Sequence, residues 1–217
     1  MTNLRRQDKG GRSLLLTKNL VKGDRVYNED LIMIEGEEYR TWDPFRSKLA
    51  AAIHRGLPDE TVAVGQRVLY LGTSTGTTPS HVSDLVGASG LVIGVEFAPR
   101  VAREFVENVA RKRENVIPFV ADARNPSKYS LMKVDLVYCD IAQPDQTEIA
   151  IENVRSLLKK GGTLLLIVKA RSIDVIKDPA EIFREETRKL RDAGFEVKNV
   201  IELSPFDKDH ALIFATA

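Results

Sequence analysis

The sequence predicts an α/β protein with a Rossmann-like sheet of seven strands and a small β-rich unit at its N-terminus. Two observations support this fold class. From Val68 onward, short apolar runs alternate with longer stretches that begin at prolines, which is the pattern of buried strands and their covering helices. In addition, 217 residues with a hydrophobic content of 43% are enough to bury the core of such a sheet.

The N-terminal unit is expected to span residues 1–42, and the main domain residues 43–217. Glycine-containing turn signals separate short strands in the N-terminal unit. The expected strands are Ser13–Thr17, Arg25–Tyr27 and Leu31–Glu35. Asp43-Pro44 is typical of a helix start, and this helix is expected to end before Gly56.

The main domain is expected to alternate strands and helices. The predicted parallel strands are Val68–Leu71, Leu91–Val95, Val116–Val120, Val134–Cys139 and Thr163–Lys169. The predicted helices are Pro79–Val86, Pro99–Arg113, Pro144–Lys160 and Pro179–Ala193, the last with the capping box that opens at Asp178. Two further strands, Val197–Leu203 and Ala211–Ala215, follow without a helix between them, so we expect an antiparallel pair at one edge. Such an ending is typical of S-adenosylmethionine-dependent methyltransferases.

The loop after the first parallel strand indicates the class of cofactor. Gly72 and Gly76 punctuate a polar loop that leads into a helix, with Thr78 as the expected N-cap and Pro79 in the first turn. A dinucleotide site needs a middle glycine, and a P-loop needs a Lys-Ser/Thr pair, but the sequence has neither. We therefore predict a cofactor without phosphates, S-adenosylmethionine, bound where the helix begins.

Polar residues follow several of the predicted strands, where an open α/β sheet binds its ligand. Glu96 lies about 20 residues past the loop, the usual place for a carboxylate that binds ribose hydroxyls. Phe97 beside it is a candidate to stack on adenine. Asp122 is a candidate acceptor for the adenine amino group, and Asp140 with Gln143 for the methionine part. Each residue alone could equally be a strand-end or capping residue, so their joint placement supports the site.

Composition limits the possible functions. The net charge is +1, from 32 Lys and Arg against 31 Asp and Glu, so the chain does not grip nucleic acid by charge alone. Cys139 is the single cysteine and lies in an apolar strand, which excludes a disulfide framework and predicts a core residue. His54 and His81 have no cysteine or carboxylate cluster around them, so no metal site is predicted. No run approaches the roughly 18 apolar residues of a membrane span, and we expect a cytoplasmic protein.

Several segments of the chain are similar to those of one known family. These segments are Arg46–Ala51, Leu71–Thr78, Ser80–Asp84, Gly94–Arg100, Asp140–Pro144, Val168–Asp174 and Asp209–Ala211. These segments resemble those of fibrillarin, the methyltransferase of box C/D RNA-guided 2′-O-methylation particles. The resemblance covers nearly the whole length of the chain. Eukaryotic members have a glycine- and arginine-rich leader, of which only Gly10-Gly11-Arg12 is a faint echo here. The resemblance therefore favours the archaeal form of the family.

The resemblance implies roles for individual residues. The implied cofactor contacts, beside the loop glycines Gly72 and Gly76, are Thr77, Thr78, Glu96, Phe97, Asp122, Ala123, Asp140 and Gln143. The implied catalytic group is Lys48, Asp140, Lys169 and His210, similar to the tetrad of ribose 2′-O-methyltransferases. A sulfonium methyl group is already activated, so these residues must align the 2′-hydroxyl and assist the loss of its proton. Lys169 is the candidate base.

The resemblance also implies partners. They are a box C/D guide RNA that pairs with the target rRNA or tRNA, a Nop-domain scaffold protein and a kink-turn-binding ribosomal-type protein. Aromatic residues make up 6% of the chain, and no platform of interleaved aromatic and basic residues is visible in the sequence. The chain alone is therefore expected to be a poor RNA methyltransferase.

Two other functions are compatible with the sequence. One is methylation of another substrate, such as a protein glutamine, which would not need Lys48 and Lys169 as a pair. The other is an assembly subunit with a vestigial site, which is disfavoured because no motif residue is missing. A dehydrogenase is disfavoured by the spacing of the loop glycines.

Overall fold

The computed structural model describes residues 2–217 and confirms the predicted α/β class with its additional N-terminal sheet. The N-terminal sheet is antiparallel and has the order β1-β2-β4-β3. Its strands are β1 (Leu4–Lys9), β2 (Arg12–Lys18), β3 (Leu31–Ile34) and β4 (Glu37–Trp42). The division at residue 42 into two domains stays a prediction.

Two predictions for the N-terminal sheet need correction. The segment Arg25–Tyr27 is not a strand, because the backbone N–H groups of Val26 and Tyr27 donate to the carboxylate of Glu29 instead of to a neighbouring strand. Strands β1 and β4 were not predicted, since they are rich in charged residues and lack a clear apolar alternation. One of the glycine-containing turn signals, Glu35-Gly36, does form the turn between β3 and β4, and both residues have a positive φ.

The main sheet has seven strands in the order β10-β11-β9-β8-β5-β6-β7. The five strands from β9 to β7 in this order run parallel, whereas β11 runs antiparallel to both β9 and β10. The strands are β5 (Arg67–Leu71), β6 (Leu91–Glu96), β7 (Val116–Val120), β8 (Val134–Cys139), β9 (Leu158–Lys169), β10 (Glu196–Glu202) and β11 (His210–Thr216). The terminal hairpin thus lies at one edge, as predicted.

The helices are α1 (Lys48–His54), α2 (Thr77–Val86), α3 (Pro99–Asn108), α4 (Gln146–Leu157), α5 (Ala170–Ile173) and α6 (Pro179–Asp192). Short 3-10 turns lie at Ala110–Lys112 and Pro126–Lys128. Helix α4 ends before the predicted Lys160, because Leu158 already pairs with Val134 of β8. No helix within residues 2–217 has the length and apolar character that crossing a bilayer requires.

Two helix starts differ from the prediction. Helix α1 begins at Lys48 with Ser47 as its N-cap, whereas Asp43 closes a local turn in which its carboxylate accepts from the N–H of Phe45 (2.9 Å). Helix α2 begins at Thr77 with Gly76 as its N-cap. Thr78 is not the cap, because its hydroxyl donates to Ser47 Oγ (3.0 Å). The cap of α6 is Asp178, as predicted, and accepts from the N–H of Ala180.

Apolar side chains cover both faces of the main sheet. On one face, α1 and α2 pack with the N-terminal sheet, so that Leu15 and Trp42 belong to the same buried cluster as the alanines of α1. On the other face, α4 and α6 cover the strands, and Cys139 is fully buried there, as predicted. The N-terminal sheet packs on one face of the main sheet, and α6 near the C-terminus packs on the other. Both therefore help to fix the strands whose carboxyl ends carry the loops.

A buried network of charged side chains joins the N-terminal sheet to α2. Arg40 lies between Glu29 and Asp84, with its Nη1 2.8 Å from Asp84 Oδ2, and Arg113 donates to the other oxygen of Asp84 (2.5 Å). All four side chains are almost completely buried. Because each charge has an opposite partner, the network is tolerated inside the protein and fixes how the two sheets meet through α2.

Candidate active site

The carboxyl ends of the parallel strands surround a cavity of about 380 Å³. This volume is within the range of small-molecule sites, and the position is where open α/β sheets bind their ligands. The cavity contains most of the predicted cofactor residues. Its lining includes Gly72, Ser74, Glu96, Phe97, Asp122, Ala123, Arg124, Asp140, Gln143 and Lys169.

A second cavity of about 190 Å³ lies beside the first, and Gly72, Ser74 and Asp140 line both. The second cavity extends to the start of α1 and α2. Its further lining includes Phe45, Arg46, Lys48, Thr77, Thr78 and Asp207. The two cavities together thus bring residues from distant segments of the chain around Asp140.

The two loop glycines serve different purposes. Gly72 has φ +82°, and a Cβ atom there would lie 2.7 Å from the carbonyl oxygen of Asp140, so only glycine lets the ends of β5 and β8 pass each other. Gly76 has φ +105°, and a Cβ atom there would collide with Val109. Gly76 therefore packs α2 against the end of α3 and lines neither cavity.

The carboxylate of Glu96 is held in place by two backbone N–H groups, one of them in the glycine loop. One carboxylate oxygen accepts from the N–H of Ser74 (2.9 Å) and the other from the N–H of Ala98 (3.1 Å). Each oxygen has a second lone pair, so the carboxylate can still accept hydrogen bonds from a pair of ribose hydroxyls. Phe97 follows directly, is 69% exposed and presents a ring at the same cavity. These residues fit an adenosine group.

The start of α2 is tied to the start of α1. The bond from Thr78 Oγ1 to Ser47 Oγ joins the two N-termini, and Lys48 is the first residue of α1. The first N–H groups of α2 have no intrahelical acceptor and carry the positive end of the helix dipole. Thr77 and Thr78 therefore offer backbone donors to an anionic group, such as an amino acid carboxylate, and at the same time position Lys48.

Asp140 lies between two ammonium groups. Lys48 Nζ donates to Asp140 Oδ2 at 3.4 Å, and Lys169 Nζ lies 2.8 Å from Oδ1. Lys169 Nζ also donates to the backbone carbonyl of Asp140 at 2.9 Å. Less than a quarter of each of these side chains is exposed. The structure thus brings together three of the four predicted catalytic residues.

His210, the fourth, reaches this group through a residue that sequence reasoning missed. His210 Nδ1 lies 2.9 Å from Asp207 Oδ1, and Asp207 Oδ2 lies 3.9 Å from Lys48 Nζ. His210 is also the direct cross-strand neighbour of Lys169. Its Nδ1 faces a second acceptor, the carbonyl of Lys208 (2.6 Å), so Nδ1 carries the proton and Nε2 is the acceptor in the neutral ring.

The electrostatics of Asp207 agree with this placement. Partial burial raises the pKa of its carboxyl group, but the hydrogen bond from His210 and the charges of Lys48 and Lys169 outweigh burial and hold the pKa below its ordinary value. Asp207 is therefore an anion at neutral pH. The only sequence signal for it is an acidic residue three positions before His210, in a polar loop between two strands.

Arg124 is a second residue that the sequence analysis missed. Its guanidinium donates to Asp145 and to Gln143 Oε1 (3.1 Å), and its backbone N–H donates to Asp122 Oδ1 (2.9 Å). It thereby holds Asp122 and Gln143 at the rim of the cavity. Ala123, between Asp122 and Arg124, is buried at the cavity wall.

His81 has a structural environment. Its ring stacks on Trp42 with centroids 4.8 Å apart, and it is hydrogen-bonded to the hydroxyls of Thr17 (2.8 Å) and Tyr27 (2.6 Å). Burial, with the nearby charges of Arg40 and Arg113, lowers the pKa of His81 well below its ordinary value. His81 is therefore a neutral core residue that connects β2 to α2.

Comparisons with known proteins identify the family. Residues 4–217 match the family model of fibrillarin. A fibrillarin-like rRNA/tRNA 2′-O-methyltransferase of Sulfolobus acidocaldarius is 53% identical over 205 residues, which cover 94% of this chain and 88% of that protein. The crystal structure of Aeropyrum pernix fibrillarin with natively bound S-adenosyl-L-methionine has a TM-score of 0.88 at 46% identity and covers 99% of each chain. A crystal structure of a fibrillarin/Nop5p complex has a TM-score of 0.84 at 38% identity, with 98% of this chain and 96% of that chain covered. On these matches, and with this fold, the chain belongs to the fibrillarin family.

Proposed function

We propose that this chain transfers a methyl group from S-adenosylmethionine to ribose 2′-hydroxyls of rRNA and tRNA, as the catalytic subunit of a box C/D ribonucleoprotein particle. The observation that carries the proposal is the placement of Asp140 between Lys48 and Lys169, at the edge of a cavity suited to an adenosine group. The names and bound ligand of the fibrillarin relatives support the same activity.

Different residues of the cavity would bind different parts of the cofactor. Glu96 accepts hydrogen bonds from the ribose hydroxyls, and Phe97 provides a flat apolar face for adenine. Asp122 accepts from the adenine amino group. Gln143 and Asp140 would hold the methionine part, and the backbone donors at the start of α2 would bind its carboxylate. When bound, the cofactor supplies a methyl group already activated by its sulfonium charge.

The catalytic group acts on the acceptor. Methyl transfer forms a bond from the 2′-oxygen to the methyl carbon and breaks the bond from sulfur to that carbon, and the hydroxyl proton must leave. Lys48 and Lys169 hold the Asp140 side chain in one position. The 2′-hydroxyl that accepts the methyl group therefore binds to side chains that are already in place. Lys169 Nζ is the proposed proton acceptor. His210 Nε2 is the alternative, because Nδ1 carries its proton between the Lys208 carbonyl and Asp207.

The partners belong to the proposal. With a net charge of +1, the chain gains little from counterion release on binding RNA, so target choice is left to base pairing with a guide RNA. A Nop-domain protein is the direct partner, as in the fibrillarin/Nop5p complex of the relative. A kink-turn-binding ribosomal-type protein and a box C/D guide RNA complete the particle. Action in the cytoplasm stays a prediction.

The test compares the chain alone with the assembled particle. Labelled S-adenosylmethionine is supplied with one RNA that matches the guide and one that does not. We expect incorporation only in the matched RNA and only with all partners present. Sequence-selective transfer by the chain alone would contradict the role of the partners, and label confined to protein glutamine would replace the proposal by the alternative substrate.

A further inference from the structure

An aromatic pair, one ring exposed and the other partly buried, lies beside the catalytic group. Phe45 is 69% exposed, and its ring meets that of Phe206 edge to face, with centroids 5.2 Å apart. Phe206 in turn lies 5.4 Å from the ring of His54. The pair borders a shallow depression of about 650 Å³ whose lining also includes Trp42 and Leu14. A concentrated apolar surface of this kind is typical of an interaction site.

The pair is continuous with the catalytic residues. Phe45 also lines the second cavity, together with Lys48, Asp140 and Asp207. In the chain, Phe45 precedes Lys48 by three positions, and Phe206 precedes Asp207 by one. A molecule whose hydroxyl reaches Asp140 through this cavity therefore passes over the Phe45 ring.

The segment that holds Phe45 toward solvent is well fixed. The N–H groups of Phe45 and Arg46 both donate to Asp43, at 2.9 and 3.1 Å, and Ser47 caps α1 directly afterwards. The cost of ordering this surface when it binds is therefore small. The depression also has two acidic residues, Asp30 and Asp43, and one oxygen of the Asp43 carboxylate accepts from the N–H of Phe45.

Positive charge lies next to the aromatic pair. Arg46 is exposed, and its guanidinium lies 5.0 Å from the centroid of the Tyr27 ring. Lys48 borders the same cavity and pairs with Asp140, and Arg171 is exposed and pairs with Asp209, whereas Lys208 is exposed two positions before His210. A nucleic acid strand presents sugar faces between its phosphates. An apolar ring could pack against a sugar while neighbouring cations bind the phosphates.

We infer that Phe45, supported by Phe206, packs against the ribose face of the acceptor RNA next to the methylated nucleotide, with Arg46 at a neighbouring phosphate. The wide, shallow minor groove of an A-form duplex exposes the 2′-hydroxyls and sugar edges that this surface fits. This inference rests on the proposed function. Phe45 and Phe206 come from distant segments of the chain, so this pair is not visible in the sequence.

The experiment uses the assembled particle with a matched target RNA and the variant Phe45→Ala. The single-turnover rate at subsaturating RNA should fall about tenfold, since one ring contact with the docked duplex is lost. The dissociation constant of S-adenosylmethionine should stay unchanged. Hydroxyl-radical footprinting should show riboses beside the acceptor protected by the wild type and exposed with the variant. Phe45→Tyr should retain both rate and protection.

Met33→Ala is the matched control, because Met33 is a similarly exposed apolar side chain on β3 that borders neither cavity. An unchanged footprint with Phe45→Ala would overturn the inference, as would loss of binding to the Nop-domain protein, which would assign the surface to that partner. A wild-type particle without methyl transfer would instead contradict the proposed function, and the footprint would still decide the RNA contact.

Discussion

Replacing Glu96 tests the proposed ribose-binding side chain of the cofactor site. Both carboxylate oxygens of Glu96 already accept backbone hydrogen bonds, from Ser74 and Ala98, and the side chain lines the cavity. Glu96→Ala removes the acceptor for the ribose hydroxyls. Hydrogen bonds to a charged group make a net contribution of about 1.5–3 kcal/mol, so the dissociation constant of S-adenosylmethionine should rise roughly 10- to 150-fold.

Isothermal titration of the purified chain measures this change, and the thermal midpoint without cofactor shows whether the loop stays intact. Glu96→Gln should lie between the wild type and Glu96→Ala, since one oxygen is kept. Glu107→Ala is the matched control, because Glu107 is an exposed carboxylate on α3 that pairs with Arg111, away from the cavity lining. An unchanged affinity in Glu96→Ala would refute the reasoning and leave Glu96 a purely structural residue.

Three further predictions concern the catalytic group and the core. Lys169→Ala should lower the single-turnover rate by orders of magnitude with nearly unchanged cofactor affinity, and a full rate would exclude Lys169 as the base. Asp207→Asn should also lower the rate, because it removes the negative charge beside Lys48 and His210; rates in the assembled particle check this. His81 is buried and neutral, so the unfolded state binds more protons below pH 6.5, the ordinary pKa. The free energy of unfolding should therefore decrease as the pH falls from 7.5 to about 5, by at most ~1.4 kcal/mol per pH unit, and less in His81→Asn. Denaturant titrations measure it, and an equal decrease in both proteins would contradict the assignment.

The sequence predicted the parallel sheet well because its strands are continuous apolar runs. The predicted bounds of β7 and β8 agree with the structure, and that of β6 is one residue short. Strand β4 was missed because its burial depends on partners that a local pattern does not contain, such as Glu29 and Asp84 around Arg40. A charged residue in a strand is read as exposed unless its buried counterions are known.

The candidate site could be predicted only in part. Glu96 and Asp140 directly follow or end apolar strands, and in an α/β sheet this position alone indicates a ligand site. Asp207 and Arg124 could not be found in this way, because they lie in loops and act through contacts with His210 and Gln143. The start of α1 shows a similar limit. Asp43 and Ser47 are both acceptable caps, and the contact with Thr78 belongs to Ser47.

The central claim is that this site methylates a ribose 2′-hydroxyl chosen by the guide RNA. The most direct measurement uses the assembled particle with a target RNA in which one nucleotide, the one designated by the guide, carries 2′-deoxyribose. The account predicts that incorporation of labelled methyl is abolished by this single change, whereas a 2′-deoxy substitution several nucleotides away leaves it intact. Continued incorporation into the RNA with the deoxy acceptor would contradict the account.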